Sequence, residues 1–252
     1  MMEVFSRSHV GKKRRNNEDS VSSLKLFDAV YVFMVADGVG GEKKGEVASE
    51  RAIYHVEEYF RDHKDDLISS LEKEESIIDL IRSAISYSNN IVMELSSTEE
   101  FYMMATTIVM AFVYHDDLLI ANVGDSRCYL YRSNKLRQIT KDHTFVQELV
   151  DNKIITPAEA KTHREKNHIT RAIGLDKELE IDIYKLTLQE KDIIMLCSDG
   201  LNSMLEDEEI EEIIQDDKAV QCIVDDLIQK ALDKGGSDNV TVLCAKKCEV
   251  MG

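Results

Sequence analysis

One proline, Pro157, interrupts a chain of 252 residues. No serine- or glycine-rich stretch and no internal repeat accompanies it, so nothing reads as a linker, and residues 1–252 are expected to form a single domain. No apolar run is long enough to span a bilayer. The opening stretch "MMEVFSRSHVGKKRRNNEDS" lacks the apolar centre of a signal peptide, and the expectation is a cytoplasmic monomer without a membrane partner. Cysteine is present but unorganised. Cys128, Cys197, Cys222, Cys244 and Cys248 contain no CxxC pair and lie mostly in apolar runs, which argues for buried free thiols and against a disulfide framework or a zinc site. Positive charge is in deficit: 31 Lys and Arg against 48 Asp and Glu leave a net charge of −17, which repels nucleic acid and anionic membranes. What remains, 43% hydrophobic and 31% charged residues, is a globular balance.

The apolar pattern then divides the chain into elements. Helical spacing is strong from about 45 to 62 (Val47, Ala48, Ala52, Val56, Phe60) and from about 75 to 96 (Ile77, Ile81, Ala84, Ile85, Val92). "TTIVMAFVYH", "LLIANVGDSRCYLYRS" and "LRQIT" read as an antiparallel meander turning at Asp116-Asp117 and at Ser133-Asn134-Lys135. Residues 145–167 are polar and read as short helices with a loop. Strands are expected again at "HITRAIG", "LEIDIYKLTL" and "DIIMLCSD". Helices near 207–215 and 217–233 and a last strand "NVTVLCAKK" follow. Meanders of strands with paired helices describe an α+β layered domain.

Within this pattern the stretch "VFMVADGVGGEKKGE" stands out. Val32–Ala36 read as a strand buried on both faces, and it ends in a carboxylate that is costly to desolvate unless something pairs with it. A tight Asp-Gly turn is the simplest account. The pattern recurs, however, at Asp199-Gly200 after "DIIMLC", at Asp125 in "NVGDS", at Asp238 before the last strand, and at Glu18-Asp19 before another strand. Carboxylates gathered this way repel one another unless a cation neutralises them. With neither histidine nor cysteine at ligand spacing, an all-oxygen set suits Mg²⁺ or Mn²⁺ and disfavours Zn²⁺. Gly38, without a Cβ, would let its own carbonyl approach such an ion.

The motifs "GKKRRNNEDS", "VADGVGGEKKGEVAS", "MATT", "ANVGDSRCYLY", "ITRAIG", "CSDGL" and "GGSDNVTV" occur in this order over about residues 5–247. In that order they resemble the metal-dependent protein phosphatases of type 2C, and most of all the compact bacterial serine/threonine members. The resemblance implies an α-β-β-α sandwich of two packed antiparallel sheets flanked by helices, with a two-metal centre at one end. It implies hydrolysis of phosphoserine and phosphothreonine on proteins by in-line attack of a metal-bridging water, with a cognate serine/threonine kinase and its substrates as partners. Carried over by motif, Asp37 would bridge both Mn²⁺ or Mg²⁺ ions, the Gly38 carbonyl would bind one, and Asp199 and Asp238 would hold the other. Glu18 and Asp19 would act through water. Asp125, with Asp199, would serve a third, weakly held ion, and Arg14 would clamp the substrate phosphate. Residues 145–167 would form a flap beside the site.

Three positions depart from the family pattern. Val39 stands where animal members carry a histidine proposed as general acid, Asn202-Ser203 where many relatives have a fourth acid, and Ala105 where the usual motif has glycine. None of them is a direct metal ligand in the pattern. Two other readings remain at this point: a phosphatase of small phosphate esters, and a metal-binding pseudophosphatase. A nucleotide-binding loop at "GGEKKGE" lacks the Gly-Lys-Ser/Thr ending that a P-loop needs.

Overall fold

Val32, Met34 and Ala36 point to one side of a strand, Phe33 and Val35 to the other, and all five are buried. An unbroken apolar run is what a doubly covered strand requires, because successive side chains alternate between faces. The strand is β3 (Val30–Val39) in the computed structural model of the protein, which describes residues 1–27, 29–40, 44–71, 73–98, 103–214 and 218–248. Gly41, part of the glycine-rich corner, and the expected helix ends at Gln215 and Asp217 lie outside the described residues.

The sheet that contains β3 also holds β2 (Asp19–Phe27), β5 (Ile108–Tyr114), β6 (Asp117–Val123) and β9 (Asp182–Thr187), in the order β2-β3-β5-β6-β9. A two-residue strand, β4 (Ala105–Thr106), pairs with the end of β3. The other sheet is built from β1 (Met2–His9), β7 (Arg127–Arg132), β8 (Lys135–Gln138), β10 (Ile193–Cys197) and β11 (Val240–Lys247), in the order β1-β11-β10-β7-β8. Every pairing is antiparallel. Phe33, Val109 and Ile120 of one sheet meet Leu130, Leu196 and Leu243 of the other. The outer face of the first sheet is covered by α1 (Lys44–Asp62) and α3 (Glu74–Ser96), through Ala52, Val56, Phe60, Ile81 and Ile85, with the short α2 (Lys64–Ser70) between them. α7 (Asp207–Ile213) and α8 (Val220–Asp233) cover the second sheet. The fold is therefore the expected α-β-β-α sandwich.

Two expectations are corrected. The meander through residues 105–140 is two hairpins in different sheets: β6 pairs with β5 and β9, β7 pairs with β10 and β8, and the chain changes sheet at residues 124–126. Alternating apolar residues encode a two-faced strand but not which sheet receives it. "HITRAIG" is not a strand. Only Ile169 and Ile173 form bridges, to Thr144 and Thr106, and the run stops at Gly174, whose φ of 94° leaves extended backbone.

Residues 145–167 form α4 (Phe145–Asp151) and α5 (Pro157–Thr162) joined by a turn, almost wholly exposed, with Val146 the one fully buried side chain in α4 and none in α5. Three of the five thiols, Cys128, Cys197 and Cys244, are buried as expected; Cys222 is exposed and Cys248 intermediate, and all five are free.

Candidate metal centre

Strand ends place the acids together. Asp19 opens β2 directly opposite Asp37 near the end of β3. Asp199 follows β10 as the first residue of α6 (Asp199–Asn202), Asp238 precedes β11, and Asp125 lies in the link between β6 and β7. All of these points are at one end of the sandwich. Like charges directly across a strand pair destabilise it. The chain nonetheless sets Asp19 against Asp37 and surrounds them with further acids.

The carboxyls report the consequence. Asp37, Asp125 and Asp199 each keep some contact with solvent at the mouth, yet packed protein around them makes desolvation the largest influence on all three. Burial, then the charges of Asp19, Asp199, Asp125 and Asp238, push Asp37 well above the usual carboxylate range. Burial and the neighbouring Asp238 raise Asp199 to about 6, against an opposing hydrogen bond with Asp37. Burial raises Asp125 to about 8, helped by Asp199 and Asp142. Asp19 rises to about 7 through burial, although Thr241 and Ser198 both donate hydrogen bonds to its Oδ2 at 2.7 Å. Its Oδ1 is buried without a partner. Glu18 is also raised by burial, with Arg14 opposing.

Arg14 reaches into this end of the molecule, and its Nη2 donates to Asp238 Oδ2 at 2.9 Å. Lys13 and Arg15, from the same basic run, are exposed, and the Lys12 ammonium stands 3.9 Å from Asp233. Only Arg14 of the four joins the acids. Arg127, two residues past Asp125, is fully engaged with Asp142 through three short hydrogen bonds. The cluster is thus acid-rich with a single arginine at its rim.

Several residues that build the site carry no acidic signal. Thr107 Oγ1 accepts the Asp37 N–H at 2.9 Å and bonds Ser126 Oγ at 2.7 Å, joining the β3 corner to the Asp125 turn. Thr106 Oγ1 donates to the Asp37 carbonyl at 2.9 Å. Asn239 accepts the Glu18 N–H at 2.8 Å and donates to the carbonyls of Val10 and Asn16, so the loop carrying Arg14 is pinned beside Asp238. A signal existed only in the paired threonines of "MATT" and the polar neighbours of each Asp.

Gly38 has a reason other than the expected one. A Cβ there would stand 2.0 Å from the Gly45 carbonyl and 2.7 Å from that of Glu18. Gly45 in turn leaves the Gly38 carbonyl open, since a Cβ on Gly45 would come within 2.7 Å of that oxygen. The two glycines let the start of α1 pass over the corner without capping it. Gly200 similarly lets the Asp199 turn meet the backbone before β11, where a Cβ would lie 1.8 Å from the Asn239 carbonyl.

The donor set fits divalent cations that take oxygen ligands. It offers aspartates, one uncovered carbonyl and an orphaned buried carboxylate oxygen. Among the described residues no three His, Cys, Asp or Glu side chains stand close enough together to hold a metal ion by themselves. Mg²⁺-like ions use one or two carboxylates each and keep several waters, which is an open arrangement of this kind.

Residues 7–234 match the protein phosphatase 2C family. The chain is 36% identical over 247 residues to the serine/threonine phosphatase stp of Listeria welshimeri, spanning 98% of this chain and 96% of that one. The structure resembles the S. agalactiae serine/threonine phosphatase with a TM-score of 0.91 and 30% identity, covering 98% and 100% of the two chains. It also resembles the catalytic domain of the serine/threonine protein phosphatase PstP in complex with two manganese ions, with a TM-score of 0.83, 34% identity and coverage of 98% and 99%.

Proposed function

The chain belongs to the protein phosphatase 2C family and is a serine/threonine protein phosphatase, and from that premise we propose how its own residues perform the hydrolysis. Asp37, the Gly38 carbonyl, Asp199 and Asp238 would hold two Mn²⁺ or Mg²⁺ ions, with Asp37 serving both. Glu18 and Asp19 would act through water, and Asp125 with Asp199 would hold a third, weaker ion. The observation that carries this reading is the convergence of Asp19, directly opposite Asp37 across the strand pair, with Asp125, Asp199 and Asp238 at one end of the sandwich, where burial and mutual charge raise the Asp37 and Asp199 carboxyls together. When bound, such a metal pair supplies an activated water and draws charge off the phosphoryl oxygens.

The remaining work falls to the protein. Arg14 presents a planar fork of donors to the substrate phosphate. Its bond to Asp238 holds that fork at the rim and ties phosphate capture to one of the metal ligands. Thr106 and Thr107 fix the Asp37 backbone, and the Ser198 and Thr241 hydroxyls orient Asp19. Val39, exposed at the corner, brings no proton for the leaving group.

Residues 1–252 are read as one catalytic domain, with residues 145–167 as a flap. It acts on phosphoproteins, and the proposal extends these to a cognate serine/threonine kinase and its substrates. The acidic charge supports a monomeric cytoplasmic enzyme without nucleic-acid or membrane partners. No helix among the described residues is long and apolar enough to cross a membrane. Phosphothreonine, phosphoserine and phosphotyrosine peptides assayed with Mn²⁺ present or chelated test the reading. Phosphate release from the first two, abolished by the chelator, is expected; equal release from all three, or release in excess chelator, would overturn it.

A further inference from the structure

His143 is buried outside the acid cluster, yet it grips the turn that carries Asp125. Its ring Nδ1 accepts the Gly124 N–H at 3.1 Å, and its own N–H donates to the Gly124 carbonyl at 3.0 Å. The same carbonyl also accepts Asn122 Nδ2 at 3.2 Å. Both polar groups of the residue before Asp125 are therefore held. Because Nδ1 accepts, a neutral ring carries its proton on Nε2, which faces Asp182 Oδ2 at 3.2 Å. Arg171 Nη1 donates to the other Asp182 oxygen at 3.0 Å and stands 3.3 Å from Nε2, so both N–H groups converge on the Asp182 carboxylate.

The opposite side of His143 belongs to the flap. Its carbonyl accepts the Thr170 N–H at 2.8 Å, the next residue bridges Ile169, and Phe145 N–H donates to the His168 carbonyl at 2.9 Å. These bonds form the root from which α4 leaves and to which the chain returns. Thr144 also caps α4, its side chain accepting the Gln147 N–H. One imidazole thus sits between the turn that presents Asp125 and the two segments of the flap root.

We propose that His143 is a positioning residue that fixes the 124–126 turn through Nδ1 and, through Nε2, ties that turn to Asp182 of β9 and to Arg171, which follows Thr170 of the flap root and holds the same carboxylate. The consequence for metal use rests on the reading of Asp125 as a metal ligand. The clamp itself does not. If the ring is lost, the Gly124 N–H is left buried without an acceptor, the turn relaxes, and Asp125 no longer stands where the third ion needs it.

Two substitutions separate the two links. In His143→Asn the side-chain oxygen occupies the place of Nδ1 and still accepts from Gly124, but it cannot reach Asp182. In His143→Ala both links are gone. Amide hydrogen exchange on the metal-free proteins reads the clamp directly. Exchange at Gly124 should rise about tenfold in His143→Ala and stay near wild type in His143→Asn, while Phe145 and Thr170 exchange faster in both. With a small aryl phosphate, the Mn²⁺ concentration for half-maximal activity should rise about tenfold in His143→Ala at unchanged KM, and return toward wild type in His143→Asn. Wild-type protection of Gly124 in His143→Ala, or failure of His143→Asn to restore it, overturns the proposal. If His143→Ala does not fold, His143→Asn alone decides: a protected Gly124 with a loosened flap root supports the clamp, and the reverse contradicts it. A wild-type protein inactive on every phosphate ester would refute the functional reading, and the Gly124 exchange would still decide the clamp.

Discussion

Asp37 stands at the centre of the acid cluster. It faces Asp19 across the strand pair and is held by two threonines through its backbone. Asp37→Asn keeps the volume and removes the charge, and Asp238→Asn removes the charge of the proposed ligand that also holds Arg14. Each is expected to lower kcat by several orders of magnitude in steady-state assays with Mn²⁺, and near-normal turnover in either would refute the assignment. Arg14→Ala reads a different step. The loss of a charge-assisted bond of roughly 1.5–3 kcal/mol raises KM for a phosphopeptide about ten- to a hundredfold, and weakens inhibition by free phosphate equally. A fall in kcat with KM and phosphate inhibition unchanged would mean that Arg14 acts only by holding Asp238.

At the level of elements the flap is the least supported part of the fold. α4 buries Val146, α5 buries no side chain, and the outer part is fastened to the α7 end by an ion pair between Lys161 and Glu206. A segment with so few buried contacts opens locally at low cost. Exchanging residues 157–167 for a relative's segment should therefore change kcat/KM among phosphoproteins and leave hydrolysis of a small aryl phosphate as before. An equal loss on both substrates would show that the segment supports the metal centre instead. The short polar helices of residues 145–167, β3, α1 and α3 were all legible in the sequence, because doubly covered strands and one-faced helices leave apolar periods that polar segments lack. The change of sheet at residues 124–126 was not, since either sheet would accept the same alternation. The gathering of five strand-end aspartates was readable from the repeated motif, and the place of Arg14 beside them from the family resemblance. Gly45, Thr106, Thr107, Asn239 and His143 were not, because they act through backbone bonds and close approaches that only the fold creates.

For the whole molecule, an acid cluster built for cations makes the metal-free protein sensitive to pH. Asp199, Asp19 and Asp125 are raised to about 6, 7 and 8, and burial with the neighbouring acids raises Asp37 well above the ordinary carboxylate range, from unfolded values near 3.9. Between about pH 4 and pH 8 the folded state then binds more protons than the unfolded one, so stability falls as pH rises through that window. His143, held below its ordinary value by burial, works in the opposite sense as one group against four. Urea midpoints of metal-free protein should therefore fall from pH 5 to pH 8, and Mn²⁺ should restore the loss at pH 8, where it replaces the protons. A midpoint that rises with pH and ignores Mn²⁺ would contradict this. The account stands most directly on calorimetric titration of Mn²⁺ into the wild-type protein and into Asp37→Asn at pH 8, with phosphothreonine-peptide hydrolysis followed on the same samples. It requires at least two ions bound by the wild type, with both tight binding and hydrolysis lost in Asp37→Asn. Unchanged stoichiometry and turnover in the variant would contradict it.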